Sequence, residues 1–288
     1  MPRLDAEVTP DLGDAVVPDP AVEIEVELLL EAVFRRYQQD FRRYARSSLR
    51  RRLLQAASRF DCASISELQG RVLRDPRLFG DLMQYLTVQV SEMFRDPPYF
   101  RALREQVLPH LATYPFLKVW VAGCSMGEEV WSLLVLLREE GLLDRTVLYA
   151  TDINPVALEA ARAGIYSNDR MPGFSRSYLA AGGRGSLSDH YRSAYGHARF
   201  DPALAAQVVF SDHSLATDAV FSETHFVSCR NVLIYFERPL QDRALGLFAE
   251  SLVHGGFLGL GNRESLRFSA HASAFADFDR GQRIYRRR

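Results

Sequence analysis

The residue types best suited to chemistry lie in one stretch, Lys118–Asn154, which reads KVWVAGCSMGEEVWSLLVLLREEGLLDRTVLYATDIN. A short apolar run enters a Gly/Ser turn, and a second apolar run ends at Asp152. Gly123 and Gly127 let a ligand approach the backbone closely, and a carboxylate at a strand end can accept hydrogen bonds from ribose hydroxyls. The stretch therefore predicts a nucleotide-type pocket at the carboxyl ends of parallel strands.

The turn itself narrows the choice of ligand. It is not GxGxxG, and the chain contains no GxxxxGK[ST], so the usual dinucleotide and triphosphate pockets are disfavoured. S-adenosylmethionine then becomes the leading candidate. Glu128 and Glu129 follow the turn at the amino end of a helix, where the helix dipole favours acids. We count both as candidate contacts to the ligand.

Alternating strands and helices must position these residues. Apolar runs and helical spacings alternate after residue 117, an order typical of a parallel sheet with crossover helices. Residues 167–206 interrupt it, because they are rich in Gly, Ser and Tyr and lack a strong helical period. They predict an inserted subdomain of short strands or loops. The other predicted elements are strands 118–122, 146–151, 207–211, 225–229, 256–261 and 282–286 and helices 128–140, 155–163 and 239–253.

The amino-terminal part shows no strand pattern. Residues 1–21 hold four prolines and five acids, which predicts a disordered tail that we end at residue 22. Helical spacings follow over 23–90. We therefore expect a helical domain over 23–95 and an α/β domain over 96–288, with the insertion at about 167–206. The predicted helices are 23–54, as one helix or a broken pair, 64–74 with a Ser64/Glu67 capping box, 78–90 and 99–111.

The bulk composition disfavours several classes of protein. The chain has 288 residues, 47% hydrophobic and 25% charged, with a net charge of −1, so it is not an obvious nucleic-acid binder. Three widely spaced cysteines without CxxC favour a reducing cytoplasm over disulfides or a metal site. No apolar run reaches membrane-spanning length, and the acidic amino terminus is unlike a signal peptide. We expect a cytoplasmic monomer without metal or membrane insertion.

Five motifs then occur in a fixed order: SEMFRDPPYF (91–100), WVAGCSMGEEVWSL (120–133), ATDINPVALEAARAGIY (150–166), CRNVLIYF (229–236) and GGFLGLGNRESL (255–266). In these motifs the chain resembles the CheR family of chemotaxis receptor methyltransferases. The resemblance implies an α/β fold class, with a small all-helical amino-terminal domain. A doubly wound S-adenosylmethionine-dependent methyltransferase domain with an inserted small β-subdomain would follow. The implied reaction is methyl transfer from S-adenosylmethionine to glutamate side chains of chemoreceptors, giving methyl esters and S-adenosylhomocysteine.

The resemblance also implies roles for single residues. Arg95, in the MFR motif, is expected to place the substrate glutamate and to contact the cofactor; the alternative is a surface arginine that caps a helix. The Tyr235 hydroxyl is expected to hydrogen-bond the attacking carboxylate; the alternative is a buried tyrosine at a strand end. The candidate cofactor contacts are Gln89, Ser91, Arg95, Ala122, Gly123, Glu128, Glu129, Asp152, Ile153, Ser214, Leu215, Arg230 and Asn231.

An arginine cluster stands in the predicted helical domain. Residues 35–52 contain eight arginines and a single acid. Arg36, Arg43 and Arg50 repeat every seven residues with Arg46 between them, which predicts one basic helix face. Given the resemblance, we expect this face to dock an acidic chemoreceptor. RNA and anionic lipid are the alternative partners.

The chain departs from the family pattern at a few positions. Met126 replaces a usual Thr, Val130-Trp131 replace Pro-Tyr, and Gln89 replaces Asn. Ser214 stands where an Asn would contact the cofactor. These departures leave two alternatives open: a methyltransferase-like binding module with weak or no catalysis, and a methyltransferase for small molecules or RNA. The chain has no NPPY-type or paired-cysteine motif, which counts against base methylation.

Overall fold

The computed structural model describes residues 19–288, so the predicted tail lies outside the described residues up to position 18. Helix α1, Pro20–Tyr37, is capped by Asp19, whose carboxylate accepts a hydrogen bond from the Ala21 amide at 2.9 Å. Proline is favoured at the start of a helix because its missing N–H would have no helical partner there. Residues 20–22 are thus helical, although the sequence analysis assigned them to the tail.

Four helices form the amino-terminal domain: α1, α2 (Arg46–Arg59), α3 (Ile65–Arg74) and α4 (Pro76–Leu86). Gln38 ends α1 with a left-handed φ of 59°, and the Asp40 carboxylate then stabilises a turn by accepting from the Arg42 amide. A broken pair is therefore the correct alternative for residues 23–54. The helices bury a shared apolar core that includes Leu29, Leu30, Leu49, Leu53, Leu68 and Leu82.

The ends of α3 and α4 follow from their capping residues. The Ser64 hydroxyl accepts from the Glu67 amide at 3.1 Å, as predicted, but the Glu67 carboxylate accepts from the amide of Ala63 rather than of Ser64. Helix α4 ends at Leu86, four residues before the predicted end, because Thr87 takes an extended backbone with ψ 162°. Residues 87–96 thus form a linker between the two domains.

The remaining elements build the second domain. In chain order they are α5 (Pro97–Ala102), a π turn (Leu103–Val107), α6 (Leu108–Leu111), β1 (Leu117–Ala122), α7 (Glu128–Glu139), β2 (Thr146–Asp152), α8 (Pro155–Ala163), β3 (Ile165–Ser167), α9 (Met171–Ala180), β4 (Tyr191–Ala194), β5 (His197–Phe200), β6 (Val208–Asp212), β7 (Thr224–Cys229), α10 (Arg238–Ser251), β8 (Leu252–Leu260), β9 (Phe275–Asp279) and β10 (Ile284–Arg287).

A seven-stranded sheet of order β6-β2-β1-β7-β8-β10-β9 forms the centre of this domain. Neighbours from β6 to β8 are parallel, whereas β10 runs antiparallel to β8 and β9. Val119 and Val121 face a core with α7, while Trp120 and Ala122 face a core with α10 and the helical domain. The predicted α/β fold class, with a helical domain before a doubly wound sheet, is confirmed.

The region 167–206 differs from its prediction in two respects. β3, β5 and β4 form a three-stranded antiparallel sheet that begins at Ile165, two residues early. Helix α9 was missed because Gly173 is a poor helix former and Ser175 and Ser177 add little helix propensity. Met171, Phe174 and Tyr178 nevertheless bury one face of this helix. Their spacing of three and four was the available signal, and packing rather than propensity stabilises the helix.

The carboxyl-terminal strand pair is present as predicted, but a third strand accompanies it. β8 pairs with β10, and β9 adds to the outer edge of β10. The sequence between residues 262 and 281 is mostly small and polar, so its alternation was too weak to predict β9.

Gly127 provides a test of the turn between β1 and α7. Its φ is +90°, and a Cβ added there would stand 2.7 Å from the Ala161 Cα of α8. Gly127→Ala therefore combines backbone strain with a steric clash, and we expect the free energy of unfolding in urea to fall by about 2–4 kcal/mol. The matched control is Gly141→Ala, with φ +67° but nothing within 4 Å of the added Cβ. Equal losses in the two variants would contradict the steric argument.

Candidate functional site

A cavity opens at the carboxyl ends of β1, β2 and β7, where the helical domain and the linker close over the sheet. It encloses about 840 Å³ of space, part of it open to solvent. Eleven predicted site residues line it: Gln89, Ser91, Arg95, Gly123, Glu129, Asp152, Ile153, Leu215, Arg230, Asn231 and Tyr235. Lining residues that were not predicted include Tyr44, Arg52, Leu86, Thr87, Ser125, His213 and Val232.

Asp152 ends β2 with its carboxylate at the cavity. Its Oδ2 accepts from the Ser125 amide at 2.8 Å, and its Oδ1 accepts from the Asn154 amide at 2.9 Å. Asn154 caps α8 by accepting from the amides of Val156 and Ala157, so the cap does not need Asp152. Burial raises the pKa of Asp152 above its ordinary value, and the two amides partly oppose this shift. Each oxygen keeps a lone pair for a ligand hydroxyl.

The linker is tied to both strand ends through side-chain amides. Gln89 Oε1 accepts from the Ser125 hydroxyl at 2.9 Å, and Gln89 Nε2 donates to Thr87 Oγ1 at 2.8 Å. Asn154 Nδ2 donates to the same Thr87 oxygen at 3.0 Å. Gln89, which replaces a usual Asn, thus positions the turn after β1 as well as lining the cavity.

On the side of the cavity away from Asp152, Arg230 connects several residues through hydrogen bonds. Its Nη1 donates to Glu129 Oε2 at 3.1 Å, and its Nη2 donates to Asp96 Oδ2 at 2.7 Å and to the Arg95 carbonyl at 3.0 Å. Its guanidinium also stacks 4.0 Å above the Tyr99 ring. The side chain is almost fully buried, so two acids must accompany its charge. Arg230 thereby holds Glu129 and the backbone of Arg95 at the cavity.

Arg95 projects from a strained backbone. Its neighbours Phe94 and Asp96 have positive φ values of 51° and 59°, conformations that cost a non-glycine residue about 1–3 kcal/mol each. Contacts hold both residues: the Phe94 amide donates to Ser132 Oγ at 2.8 Å, and Asp96 pairs with Arg230. Within residues 19–288 no acid lies at ion-pair distance from the Arg95 guanidinium. It is therefore available to a ligand carboxylate.

A buried acid holds the loop that carries Asn231. Glu264 Oε2 accepts from the amides of Asn231 and Gly261, and Oε1 accepts from the amide of Ile234. Burial raises the pKa of Glu264 above its ordinary value. Gly123 packs closely against this loop, since a Cβ added to Gly123 would stand 2.5 Å from Val232. Glu264 was missed as a site residue although GNRESL belongs to the quoted motifs.

The helical domain supplies one wall of the cavity. Tyr44 and Arg52 line it beside Tyr235, whose carbonyl accepts from the Ala45 amide at 2.8 Å. Arg52 is buried and donates to the carbonyls of Leu86 at 2.7 Å and Ser48 at 3.2 Å. Burial lowers the pKa of Arg52. In the sequence, Arg52 is recognisable only as part of the arginine cluster over residues 35–52.

Three predicted cofactor contacts do not line the cavity: Ala122, Glu128 and Ser214. Glu128 faces the inserted subdomain, where Arg170 pairs with it at 2.8 Å. Successive helix positions point about 100° apart, so Glu129 faces the cavity and Glu128 does not. The Ser214 amide donates to Asp218, and its hydroxyl accepts from the Ala216 amide within the same turn. Ala122 is buried in the core of the sheet.

The prediction that Arg36, Arg43, Arg46 and Arg50 share one basic helix face is wrong. Arg36 lies on α1, Arg43 in the turn between helices, and Arg46 and Arg50 on α2, because the left-handed Gln38 separates α1 from α2. Two of these arginines also have acidic partners. Arg43 lies 3.7 Å from Glu237, and Arg50 lies 3.0 Å from Glu23.

Comparison with known sequences decides the family. Residues 24–87 match the family model described as "CheR methyltransferase, all-alpha domain", and residues 89–281 match "CheR methyltransferase, SAM binding domain". This chain belongs to the CheR methyltransferase family. The resemblance drawn from the five motifs is thereby confirmed, and S-adenosylmethionine is the cofactor of its second domain. The two matches meet at residue 88, within the linker.

Named relatives agree with this assignment. A Pseudomonas putida protein that carries the methyltransferase name Cher3 is 56% identical over 265 residues, 92% of this chain and 97% of its own length. A chemotaxis protein methyltransferase of Vibrio parahaemolyticus is 31% identical over 76% of this chain and 80% of its own. One from Listeria monocytogenes is 29% identical over 79% and 84%. This chain is therefore similar to chemotaxis protein methyltransferases along most of its length.

The residues of the CheR cavity suit S-adenosylmethionine. The Asp152 carboxylate offers acceptors for ribose hydroxyls, and Gly123 lines the cavity at the end of β1. Among residues 19–288 no group of His, Cys, Asp or Glu side chains is arranged to hold a metal ion. In the same part of the chain, no helix is both long and apolar enough to cross a membrane.

Asp152 is the most direct test of the cofactor site. Asp152→Ala removes the acceptors proposed for the ribose, and we expect the Kd for S-adenosylhomocysteine to rise by roughly 10- to 100-fold, measured by calorimetry. The control is Asp144→Ala, an exposed acid just before the opposite end of β2, which should leave the Kd unchanged. An unchanged Kd in Asp152→Ala would remove Asp152 from the site.

Proposed function

We propose that this chain methylates glutamate side chains of chemoreceptor-type proteins, giving glutamate methyl esters and S-adenosylhomocysteine. The observation that carries the proposal is the Arg95 guanidinium, which lines the cofactor cavity and has no acidic partner within residues 19–288. A cation without a counter-ion beside the cofactor calls for a substrate that brings a carboxylate. The relatives named as chemotaxis protein methyltransferases support a chemoreceptor as its source.

The proposed reaction requires the protein to position the substrate carboxylate, and it does not require a strong base. A glutamate carboxylate is ionised at neutral pH and is already nucleophilic. S-adenosylmethionine supplies the methyl group on a positively charged sulfonium, which makes that group electrophilic. Because the carboxylate is already ionised, it has no proton to lose. Arg95 can hold the carboxylate through two parallel hydrogen bonds and keep it ionised. The Tyr235 hydroxyl lines the same cavity and offers a further donor.

Partner docking through the arginine cluster remains part of the proposal, although its geometry differs from a single helix face. Arg36 and Arg46 have no ion pair among the described residues, and Arg43 is 67% exposed despite its contact with Glu237. Together with Arg50 they can attract an acidic receptor segment across the end of α1 and the start of α2. A cytoplasmic location is supported by Cys62, Cys124 and Cys229, which are all free and buried.

One observation favours a second candidate, a methyltransferase-like module that binds cofactor and signals through docking. Ser214 replaces an amide-bearing residue, and its polar groups are used within its own turn. The cavity therefore has one polar contact fewer for the cofactor than the family pattern implies. Methyl transfer distinguishes this module from an enzyme.

The proposed reaction predicts a specific product. With tritiated S-adenosylmethionine and membranes of the source cell, we expect label on a receptor-sized band, released as methanol by mild alkali because esters hydrolyse in base. Asp152→Ala, with its weakened cofactor binding, serves as the control of low activity. Alkali-stable label would contradict glutamate methylation, and no label with intact cofactor binding would favour the binding module.

Arg95 separates substrate placement from cofactor binding. Arg95→Ala should lower methyl transfer by roughly 30- to 100-fold, the loss typical of a charged hydrogen-bond partner. The Kd for S-adenosylhomocysteine should change by less than about threefold, within the worth of one neutral hydrogen bond. Arg138→Ala, an exposed arginine at the far end of α7, is the matched control. Parallel losses in both measurements would assign Arg95 to the cofactor instead.

A further inference from the structure

An exposed aromatic ring between two arginines stands out on the surface of the second domain. Phe268 is 74% exposed. The Arg238 guanidinium lies 4.8 Å from the centre of its ring, and the Arg267 guanidinium lies 5.5 Å from it. Exposed apolar side chains are common singly, so the exposure of Phe268 needs a second observation before it indicates a function.

The loop that carries Phe268 is held at both ends. On one side, the Glu264 carboxylate accepts from the amides of Gly261 and Asn231 at 2.6 and 3.0 Å. On the other, Asp242 Oδ1 accepts from the Ser269 hydroxyl at 2.5 Å and from the Ala270 amide at 2.8 Å. With anchors four residues before and one residue after it, Phe268 is held outward rather than free to fold back onto the core.

The charge around the ring is unbalanced. Arg238, Arg263 and Arg267 are exposed, and within residues 19–288 none of them has an acid at ion-pair distance. The acids nearby are committed elsewhere: Asp242 and Glu264 bind the loop, and Glu237 faces Arg43. Two free cations beside one apolar ring, with the exposed Arg263 on the same loop, fit a partner that is both acidic and apolar.

This surface adjoins the mouth of the cavity. Arg238 follows Tyr235 by three residues, and Ile234, directly before Tyr235, is 38% exposed. Asn231, which lines the cavity, shares the Glu264 carboxylate with the Phe268 loop. The Glu237 amide donates to the Arg43 carbonyl at 2.8 Å, so the surface continues towards the turn between α1 and α2.

We propose that Arg238, Arg263, Arg267 and Phe268 form a docking surface for the acidic, amphipathic protein segment that carries the methylated glutamate. Phe268 covers an apolar side chain of that segment, and the arginines bind its carboxylates on either side. The inference rests on the proposed function, because the same segment must then reach Arg95 in the adjoining cavity. Nucleic acid and phosphatidylglycerol share the attraction to arginine, but neither brings a carboxylate to Arg95.

Direct binding tests the surface without requiring catalysis. The probe is a fluorescein-labelled synthetic peptide with paired glutamates and with leucines at helical spacing, followed by anisotropy with the full chain saturated with S-adenosylhomocysteine. Phe268→Ala and Arg267→Glu should each raise the peptide Kd at least about fivefold. The matched controls are Phe116→Ala, a 43% exposed ring directly before the amino end of β1, and Arg138→Glu, near the carboxyl end of α7. Both lie at the ends of their elements away from the cavity. These controls should leave the Kd unchanged.

The outcomes separate this inference from the proposed function. If the parent chain does not bind the peptide, or if the control variants weaken binding as much as Phe268→Ala, the docking surface is refuted. Phosphatidylglycerol vesicles and single-stranded RNA are tested in parallel. A loss confined to either of these probes in Phe268→Ala would assign the surface to lipid or nucleic acid instead. Alkali-labile methyl transfer by the parent chain decides the proposed function independently of this binding result.

Discussion

The buried cation of Arg230 is the constraint on which the site depends. A guanidinium withdrawn from water is stable only beside acids and acceptors, and removing a partner of a buried pair costs about 3–5 kcal/mol. Glu129 from α7, Asp96 from the linker and the Arg95 carbonyl supply these partners. Meeting them forces Asp96 into a left-handed backbone and directs Arg95 into the cavity. The ion network around Arg230 therefore also places Arg95, a cavity arginine that is available to a substrate carboxylate.

The cavity belongs to both domains of this CheR chain. The sheet supplies Asp152 and Gly123, while the helical domain supplies Tyr44 and Arg52. Hydrogen bonds between Ala45 and Tyr235 and along the linker through Gln89 join the two halves. The helical domain thus closes one side of the cavity.

The departures from the family pattern fall mostly behind the site. Trp131 is buried and donates from its indole N–H to the Ala161 carbonyl at 2.9 Å, with its ring against Gly164. The Met126 carbonyl accepts from the Tyr166 hydroxyl at 2.9 Å. These residues join the turn after β1 to α8 and the inserted subdomain. They change how the floor of the cavity is supported rather than which groups line it.

The sequence by itself determined the α/β fold, the S-adenosylmethionine pocket and most of its lining, because strand-end residues such as Asp152 and Gly123 carry local signals of period and turn. The family could also be recognised from the sequence, through motifs that include Arg95 and Tyr235. Only the tertiary structure decided which arginines are free, which are buried and which are paired. The sequence pattern places Arg52 in a surface cluster, but this residue lines the cavity. The same pattern places Arg36 and Arg43 on one helix face, but they lie on different elements. Such distinctions depend on contacts between residues far apart in the chain, such as Arg52 with Leu86 and Arg230 with Asp96, and periodicity within a segment contains no information about them.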